Sequence, residues 1–188
     1  MARLGLIDWG IGGIGVYREA KTRFGDIAVT YWSDTGQPPY GTLSRRDMAF
    51  RLEFIINRFA KLGVTDVVIA CNAASTALPD VWPIDGVNVT GMIEPAVAAA
   101  IKQRPTHLGV IGGRRTIVSG AYRKAFASHG IDISQRVAQP LSALIEAGEI
   151  DGPAMTTECE RILRPLYNCS HILLACTHYP AAASAIAR

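Results

Sequence analysis

Long apolar runs are missing from this 188-residue sequence. None approaches the roughly 18 to 20 residues that cross a bilayer, so a membrane-spanning helix is not expected. Asp8 lies between Met1 and Gly15, where a secretory signal peptide would be apolar. The chain is therefore expected to be cytoplasmic.

An excess of charge of one sign is missing as well. The 19 basic and 16 acidic residues give a formal net charge of +3 and form no long run of like charge. Such a surface has no electrostatic attraction for nucleic acid or for an anionic membrane. We therefore expect a small-molecule partner, with no role for nucleic acid or membranes.

Cysteine is scarce, with four residues at positions 71, 159, 169 and 176. This number is far below that of a disulfide scaffold, and the spacing contains no CxxC pair of the kind that holds zinc. Reduced thiols and no metal site are expected. Cys159 falls in a predicted helix and Cys169 in the turn after it, so both are interpreted as structural.

Short apolar runs alternate with longer amphipathic ones along the whole chain. The runs predict six strands, at Leu4–Asp8, Ile27–Ser33, Val67–Ala70, Leu108–Ile111, Ile131–Val137 and Ile172–Ala175. The clearest helix is predicted from Ser44 to Gly63, with Met48, Leu52, Ile55, Ile56, Phe59 and Leu62 on one face. Alternation of this kind is typical of parallel strands joined by crossover helices, and the predicted fold class is α/β.

The chain also repeats itself. The sequence LGLI at 4–7 returns as LGVI at 108–111, each time before a Gly-rich turn, and VVIACN at 67–72 returns as ILLACT at 172–177. The distances agree, since Leu4 and Cys71 are 67 positions apart and Leu108 and Cys176 are 68 apart. Two similar halves, each presenting one cysteine at the same place, explain the pattern.

The repeat predicts two pseudo-symmetric parallel-sheet α/β domains, at residues 1–93 and 94–188, with the active site in the cleft between them. The boundary is expected near Glu94-Pro95, before an Ala-rich helix that ends around Arg104-Pro105.

Cys71 and Cys176 each fall at the carboxyl end of a predicted strand, where ligands bind in open α/β sheets. Predicted helices follow, from Ala73 and from Pro180, and a helix N-terminus can lower the pKa of a thiol from about 8.5 toward neutrality. If the halves face each other, one thiolate can remove an α-proton while the other thiol protonates the opposite face. This arrangement predicts a racemase.

The alternative is that both cysteines belong to an inert core, because cysteine is among the most frequently buried residues. Hydrogen-bonding neighbours favour the catalytic interpretation, since a packed core would exclude them: Asn72, Ser75, Thr76, Thr177 and His178. His178 is placed to orient or exchange protons with Cys176, and Asp8, at the end of the first strand, to do so near Cys71.

A competing pattern lies in the first Gly-rich turn. Residues 10–15 satisfy GxGxxG after a predicted strand and before a predicted helix, with Asp34 about 20 residues further on, as in dinucleotide-binding proteins. Asp8 would stand close to the pyrophosphate, however, and this interpretation leaves both Ala-Cys strand ends and the loop at 38–41 unexplained. The amides of the turn can instead bind a small carboxylate.

Six blocks of the sequence, in order from end to end, resemble the glutamate racemases of the aspartate/glutamate racemase family. They are Asp8-Trp9-Gly10-Ile11-Gly12-Gly13, Pro39-Tyr40-Gly41, Ala70-Cys71-Asn72-Ala73-Ala74-Ser75, Ile93-Glu94-Pro95, Gly109-Val110-Ile111-Gly112 with Thr116, and Ala175-Cys176-Thr177-His178-Tyr179-Pro180. The resemblance implies interconversion of L- and D-glutamate without a cofactor, supply of D-glutamate for peptidoglycan, and a homodimer.

The resemblance also implies roles for individual residues. Cys71 would handle the α-proton of the D-enantiomer and Cys176 that of the L-enantiomer. Asp8 and His178 would support them, and Glu146 would assist on the His178 side. The substrate-binding positions implied in the same way are Trp9, Tyr40, Gly41, Asn72, Ala73, Thr116 and Thr177.

Three features depart from the family. Trp9 and Ala73 stand where hydroxyl side chains are usual, and losing such donors can weaken substrate binding by about 1–3 kcal/mol each. The family usually continues past the Cys-Thr-His block with a segment that returns to the first half, whereas this sequence ends at Arg188. A racemase for aspartate or another small amino acid, or an amino-acid-binding relative without turnover, therefore remains as an alternative.

Overall fold

A computed structural model describes residues 3–188 and divides the chain into two compact units. The first unit ends at Met92 and the second runs from Ile93 to Arg188, one residue before the predicted boundary. No helix in the described part is both long and apolar enough to cross a membrane.

The first unit is built on a four-stranded parallel sheet with the order β2-β1-β3-β4. Its strands are β1 (Arg3–Asp8), β2 (Ala28–Ser33), β3 (Asp66–Ile69) and β4 (Asn88–Gly91). Its helices are α1 (Ile14–Phe24), α2 (Arg45–Lys61) and the short α3 (Asn72–Ser75), followed by a 3-10 turn at Leu78–Asp80. The sequence patterns missed β4, because this four-residue edge strand carries no apolar run.

Helix α2 supplies most of the core of this unit. Ser44 caps it by accepting a 3.1 Å hydrogen bond from the backbone N–H of Asp47. Its buried stripe matches the prediction except at Leu62, which lies beyond the end of the helix and is 56% exposed. Gly63 turns the chain away there with φ +73°, a conformation that favours glycine. The prediction that Leu62 lies on the same apolar face of the helix was therefore wrong.

The second unit is built on a three-stranded parallel sheet with the order β6-β5-β7. Its strands are β5 (Leu108–Gly112), β6 (Ile133–Val137) and β7 (His171–Ala175). Its helices are α4 (Ile93–Lys102), α5 (Arg114–Val118), α6 (Ala121–Ala127), α7 (Gln139–Glu146), α8 (Pro153–Leu163) and α9 (Ala183–Ile186), with 3-10 turns at Arg164–Leu166 and Tyr179–Ala182. The prediction of two α/β domains on parallel sheets is confirmed.

Helices cover both faces of the second sheet. Neighbouring residues of β5 point to opposite sides of it and so contact different helices. Ile111 packs in a cluster with residues of α7 and α8, and Val110 packs in a cluster with residues of α4 and α6. The two sheets also share their central arrangement. In each unit an inner strand, β1 or β5, pairs in parallel with the strand that leads to a cysteine, β3 or β7.

Candidate active site

Cys176 follows β7 directly and is partly exposed. Its Sγ atom lies 3.7 Å from Nδ1 of His178 and 3.7 Å from Oγ of Ser142. The thiol therefore has an imidazole and a hydroxyl as neighbours. His178 was expected near Cys176 from its position in the sequence, whereas the contact with Ser142 was not foreseen.

His178 and Glu146 form the next link of this arrangement. Nε2 of His178 makes a short hydrogen bond with Oε1 of Glu146, the last residue of α7. Cys176 raises the pKa of His178 most, burial opposes the rise, and Glu146 adds to it, so that the pKa reaches about 9. The structure thus places Glu146, His178 and Cys176 in one row in which the imidazole is protonated at neutral pH.

This row gives a prediction for the Glu146→Gln variant. A neutral amide attracts the imidazolium less than a carboxylate does, so the pKa of His178 should fall below the value of about 9 in the native chain. The titration of the His178 ring signals by NMR measures the change, with the exposed His129 as an internal control. An unchanged midpoint for His178 would mean that Glu146 does not stabilise the charged ring.

The same variant should change stability in a defined pH range. A raised pKa in the folded chain stabilises it fully below about pH 6.5, and this stabilisation is lost as the pH rises through about 9. The free energy of unfolding of Glu146→Gln in urea should therefore lie furthest below that of the native chain under mildly acidic conditions. The two curves should converge above about pH 9.

Cys71 lies at the equivalent point of the first unit, between β3 and α3. Helix α3 covers only Asn72–Ser75, so the helix predicted from Ala73 onward is a single turn, and its dipole is correspondingly weak. The carbonyl of Cys71 accepts hydrogen bonds of 2.9 Å from both the backbone N–H and the hydroxyl of Ser75. These bonds fix the backbone that carries the thiol.

Asp8 ends the strand next to β3, and the register brings it to the same sheet edge as Cys71. Ile7 pairs with Ile69, and the N–H of Ala70 donates to the carbonyl of Ile7 at 2.8 Å. Asp8 is only 1% exposed, and its Oδ1 accepts a 2.8 Å bond from the N–H of Trp9. A buried carboxylate therefore stands beside the strand that leads to the first thiol.

Tyr31, which sequence reasoning did not single out, lies beside Asp8. Its hydroxyl donates to the carbonyl of Gly10 at 3.1 Å. Burial, and next the negative charge of Asp8, raise the pKa of Tyr31 above its ordinary value, and the charge of Cys71 adds to the rise. Gly13 packs so closely here that a Cβ atom on it would lie 2.8 Å from the Tyr31 hydroxyl and 2.9 Å from Cβ of Asp8. The Gly-rich turn thus folds over the carboxylate.

Trp9 is tied to the loop that follows β2. Its indole N–H donates to the carbonyl of Gln37 at 3.0 Å, and its ring packs against the core of the first unit. The indole N–H is therefore engaged within the protein and does not replace the hydroxyl that the family usually has at this position.

Asp34 anchors the same loop. Its carboxylate accepts four hydrogen bonds, two from Arg51 and one each from Trp32 and Tyr40, and these occupy its four lone-pair positions. Burial would raise the pKa of Asp34, but these donors hold it below its ordinary value. Asp34 thus has no acceptor position left for a ribose hydroxyl, which removes the acidic residue that the dinucleotide alternative required.

Tyr40 belongs to this cluster through its side chain. It is 2% exposed, and its hydroxyl donates to Oδ2 of Asp34 at 2.8 Å. A hydroxyl has one proton to donate, so this group has none left for a substrate carboxylate. Any contact that Tyr40 makes with a substrate as a hydrogen-bond donor would have to come from its backbone.

The other expected substrate-binding residues divide between the two units. In the first unit, Gly41 is exposed on the loop after Tyr40, Asn72 is buried at the start of α3, and Ala73 is partly exposed beside it. In the second unit, Thr116 is buried in α5, which follows β5, and Thr177 is partly exposed next to Cys176.

The two remaining cysteines lie away from these strand ends. Cys159 is buried within α8, where its thiol contacts the sulfur of Met155 at 3.7 Å, and burial raises its pKa. Burial also raises the pKa of Cys169. Across residues 3–188 the structure contains no cluster of three or more side chains suited to holding a metal ion.

Comparison with known proteins identifies similar sequences. The sequence profile of the Asp/Glu/hydantoin racemase family matches residues 22–188. The chain is 37% identical over 196 residues to the glutamate racemase of Beutenbergia cavernae, and the alignment covers 98% of this chain and 66% of that relative. This chain therefore spans about two thirds of the relative's length.

Solved structures give the same result for the fold. The crystal structure of glutamate racemase from Campylobacter jejuni superposes with a TM-score of 0.92 at 25% identity, covering 98% of this chain and 76% of that one. The Escherichia coli glutamate racemase, crystallised with L-glutamate and the activator UDP-MurNAc-ala, gives a TM-score of 0.78 at 25% identity, covering 99% and 73%. The similarity extends over nearly all of this chain.

Proposed function

Because the chain belongs to the Asp/Glu/hydantoin racemase family, we propose that it interconverts L- and D-glutamate without a cofactor, using Cys71 and Cys176 as its two acid–base groups. The row formed by Cys176, His178 and Glu146 is the observation that carries the proposal. A protonated imidazole beside a thiol stabilises the thiolate, and the thiolate is the form that can accept a proton.

The reaction from the L-enantiomer begins at Cys176. Its thiolate accepts the α-proton, the C–H bond breaks, and the electron pair is delocalised into the α-carboxylate. The thiol of Cys71 then donates its proton to the opposite face of the α-carbon, which yields the D-enantiomer and leaves Cys71 as the thiolate. The D-enantiomer reacts by the same steps in reverse, so no atom is gained or lost and no cofactor is required.

The two thiols have supporting groups of opposite charge. Cys176 faces the imidazolium of His178, which favours the thiolate, whereas the first unit places the buried carboxylate of Asp8 at the edge that carries Cys71. Asp8 is proposed to orient or exchange protons with Cys71, as His178 does with Cys176. The first half-reaction with the L-enantiomer requires Cys176 as the thiolate and Cys71 as the thiol.

The substrate is the less constrained part of the proposal. Ala73 has no hydroxyl, and the indole N–H of Trp9 is bound to Gln37, so neither side chain offers a donor at these positions. These two positions favour a changed substrate preference, and aspartate is the second candidate. The third candidate is a relative that binds an amino acid without turning it over. It would show neither exchange of the α-proton nor inversion.

The test is incubation of the full chain with reduced thiols in deuterated water, with each enantiomer of glutamate and aspartate in separate samples. NMR reports loss of the α-proton signal, and circular dichroism reports inversion. We expect exchange and inversion with both glutamate enantiomers. The same behaviour with aspartate alone would change the substrate, and binding without exchange of any amino acid would contradict the racemase proposal.

Three wider expectations come with this proposal. The product D-glutamate would serve peptidoglycan synthesis, the protein would act in the cytoplasm, and two copies would associate as a homodimer. The resemblance to glutamate racemases supports all three, and light scattering coupled to gel filtration measures the last.

A further inference from the structure

Ser142 is the group around Cys176 that the proposed reaction has not used. It lies on α7 four residues before Glu146, so one helical turn separates the two and both project from the same face. Glu146 reaches His178, and the hydroxyl of Ser142 lies 3.7 Å from Sγ of Cys176. Two side chains of one short helix therefore contact both members of the Cys176–His178 pair.

Tyr179 interacts electrostatically with Cys176 but offers it no proton. Tyr179 is fully buried, and its hydroxyl donates to the carbonyl of Ala138 at 2.9 Å. Burial, followed by the charge of Cys176, raises the pKa of Tyr179. The hydroxyl of Ser142 is therefore the neutral donor beside the sulfur.

We propose that Ser142 is a positioning residue that donates its hydroxyl proton to the thiolate of Cys176 and accepts from the S–H group when Cys176 is protonated. A hydroxyl has one donor and two acceptor positions, so it can make either bond. A hydrogen bond donated to a charged acceptor is stronger than one accepted from a neutral S–H group, so the contact favours the thiolate. The sulfur is hydrogen-bonded in both states and keeps its place.

The catalytic role of Ser142 rests on the proposed function, but the contact itself concerns only the protonation of Cys176. His178 contacts this sulfur, Tyr179 interacts with it electrostatically, and Glu146 acts through His178. His178 supplies charge to the thiolate, whereas Ser142 supplies a neutral hydrogen bond. Removal of the Ser142 hydroxyl should therefore change the proton affinity of the thiol while the charged row stays in place.

The test is the pH dependence of alkylation of Cys176 by iodoacetamide, followed by mass spectrometry of the peptide that contains it. This readout needs no substrate and separates Cys176 from the other three cysteines. In Ser142→Ala the midpoint should rise by about one pH unit, which is a tenfold loss of thiolate at a pH below the midpoint. Ser128→Ala, which removes an exposed hydroxyl at the end of α6, is the matched control and should leave the midpoint unchanged.

A second pair of variants separates the hydroxyl from packing. Ser142→Thr keeps the hydroxyl and Ser142→Val replaces it with a methyl group, so the two differ in little else. We expect the valine variant to have the higher midpoint. Equal midpoints in these two variants, or an unchanged midpoint in Ser142→Ala, would overturn the inference, and thermal unfolding of each variant shows whether the fold is retained.

Racemisation assays then connect the contact between Ser142 and Cys176 to the reaction. The kcat from L-glutamate should fall more in Ser142→Ala than in Ser128→Ala, because Cys176 must act as a thiolate in that direction. If the native chain shows no racemisation while the alkylation midpoint still shifts, the proposed function fails and the contact between Ser142 and Cys176 stands. Racemisation without a shift of the alkylation midpoint in Ser142→Ala would support the proposed function and overturn the inference about Ser142.

Discussion

Cys176→Ala should abolish racemisation while preserving exchange of the α-proton of D-glutamate with solvent. Cys71 can still remove that proton and return a deuteron to the same face, but no group protonates the other face. Cys71→Ala should show the mirror behaviour, with exchange confined to L-glutamate. Because an acid–base group contributes on the order of 10²–10⁴ in rate, the inversion rate should fall by about 10³-fold or more in either variant.

The measurement combines two signals from one sample in deuterated water. NMR follows the α-proton, and chiral chromatography follows inversion. Cys169→Ala is the control, since this cysteine lies outside the row around Cys176 and should retain native rates. Full racemase activity in Cys71→Ala or in Cys176→Ala would contradict the two-thiol mechanism, whatever the identity of the substrate.

Arg51→Met should cost about 3 kcal/mol of the free energy of unfolding, which is typical for removing one partner of a buried ion pair. The Asp34 side chain is only 3% exposed and would be left with its charge and two hydrogen bonds, from Trp32 and Tyr40. The loss should be largest above about pH 4, because the lowered pKa of Asp34 stabilises the fold only where the carboxylate is ionised.

Arg45→Met supplies the matched comparison in urea unfolding. Arg45 lies on the same helix as Arg51 and pairs with Asp80 of the 3-10 turn in the same unit. Both side chains of this pair are about half exposed, so the loss should be at most about 1 kcal/mol. The double variant Asp34→Asn with Arg51→Met should recover part of the stability by removing the buried charge. Equal losses for the two arginine variants would show that burial of the Asp34 pair has no energetic consequence.

Much of the fold could be predicted from sequence because its signals are local. Apolar runs located six of the seven strands among residues 3–188, and the cysteine at the end of a run located two strand ends. The sequence patterns did not predict β4, which is a short edge strand. Its pairing within the sheet defines this strand better than its own residues do. The prediction for Leu62 failed because the helix was expected to continue to Gly63 but ends at Lys61, so helical periodicity no longer applies at Leu62.

Contacts between residues close in sequence could be predicted, whereas contacts between distant residues could not. Cys176 and His178 are close in sequence, and the family resemblance supplied Glu146. Ser142 could have been found from its spacing of four residues from Glu146 on a helix, but a serine among apolar residues gives a weak signal. Asp34 and Arg51 meet across 17 positions of chain, and no local pattern links an aspartate in a turn with an arginine in the next helix.

The arrangement on α7 has a consequence for tolerance to insertions. Because consecutive residues of a helix differ by about 100° in direction, one residue inserted between Ser142 and Glu146 would swing one of the two away from the Cys176–His178 pair. Insertions after Glu146, in the turn where Gly148 has φ +81°, would leave both in place. Changes in chain length among natural or engineered variants should therefore accumulate just beyond α7 and be absent within it.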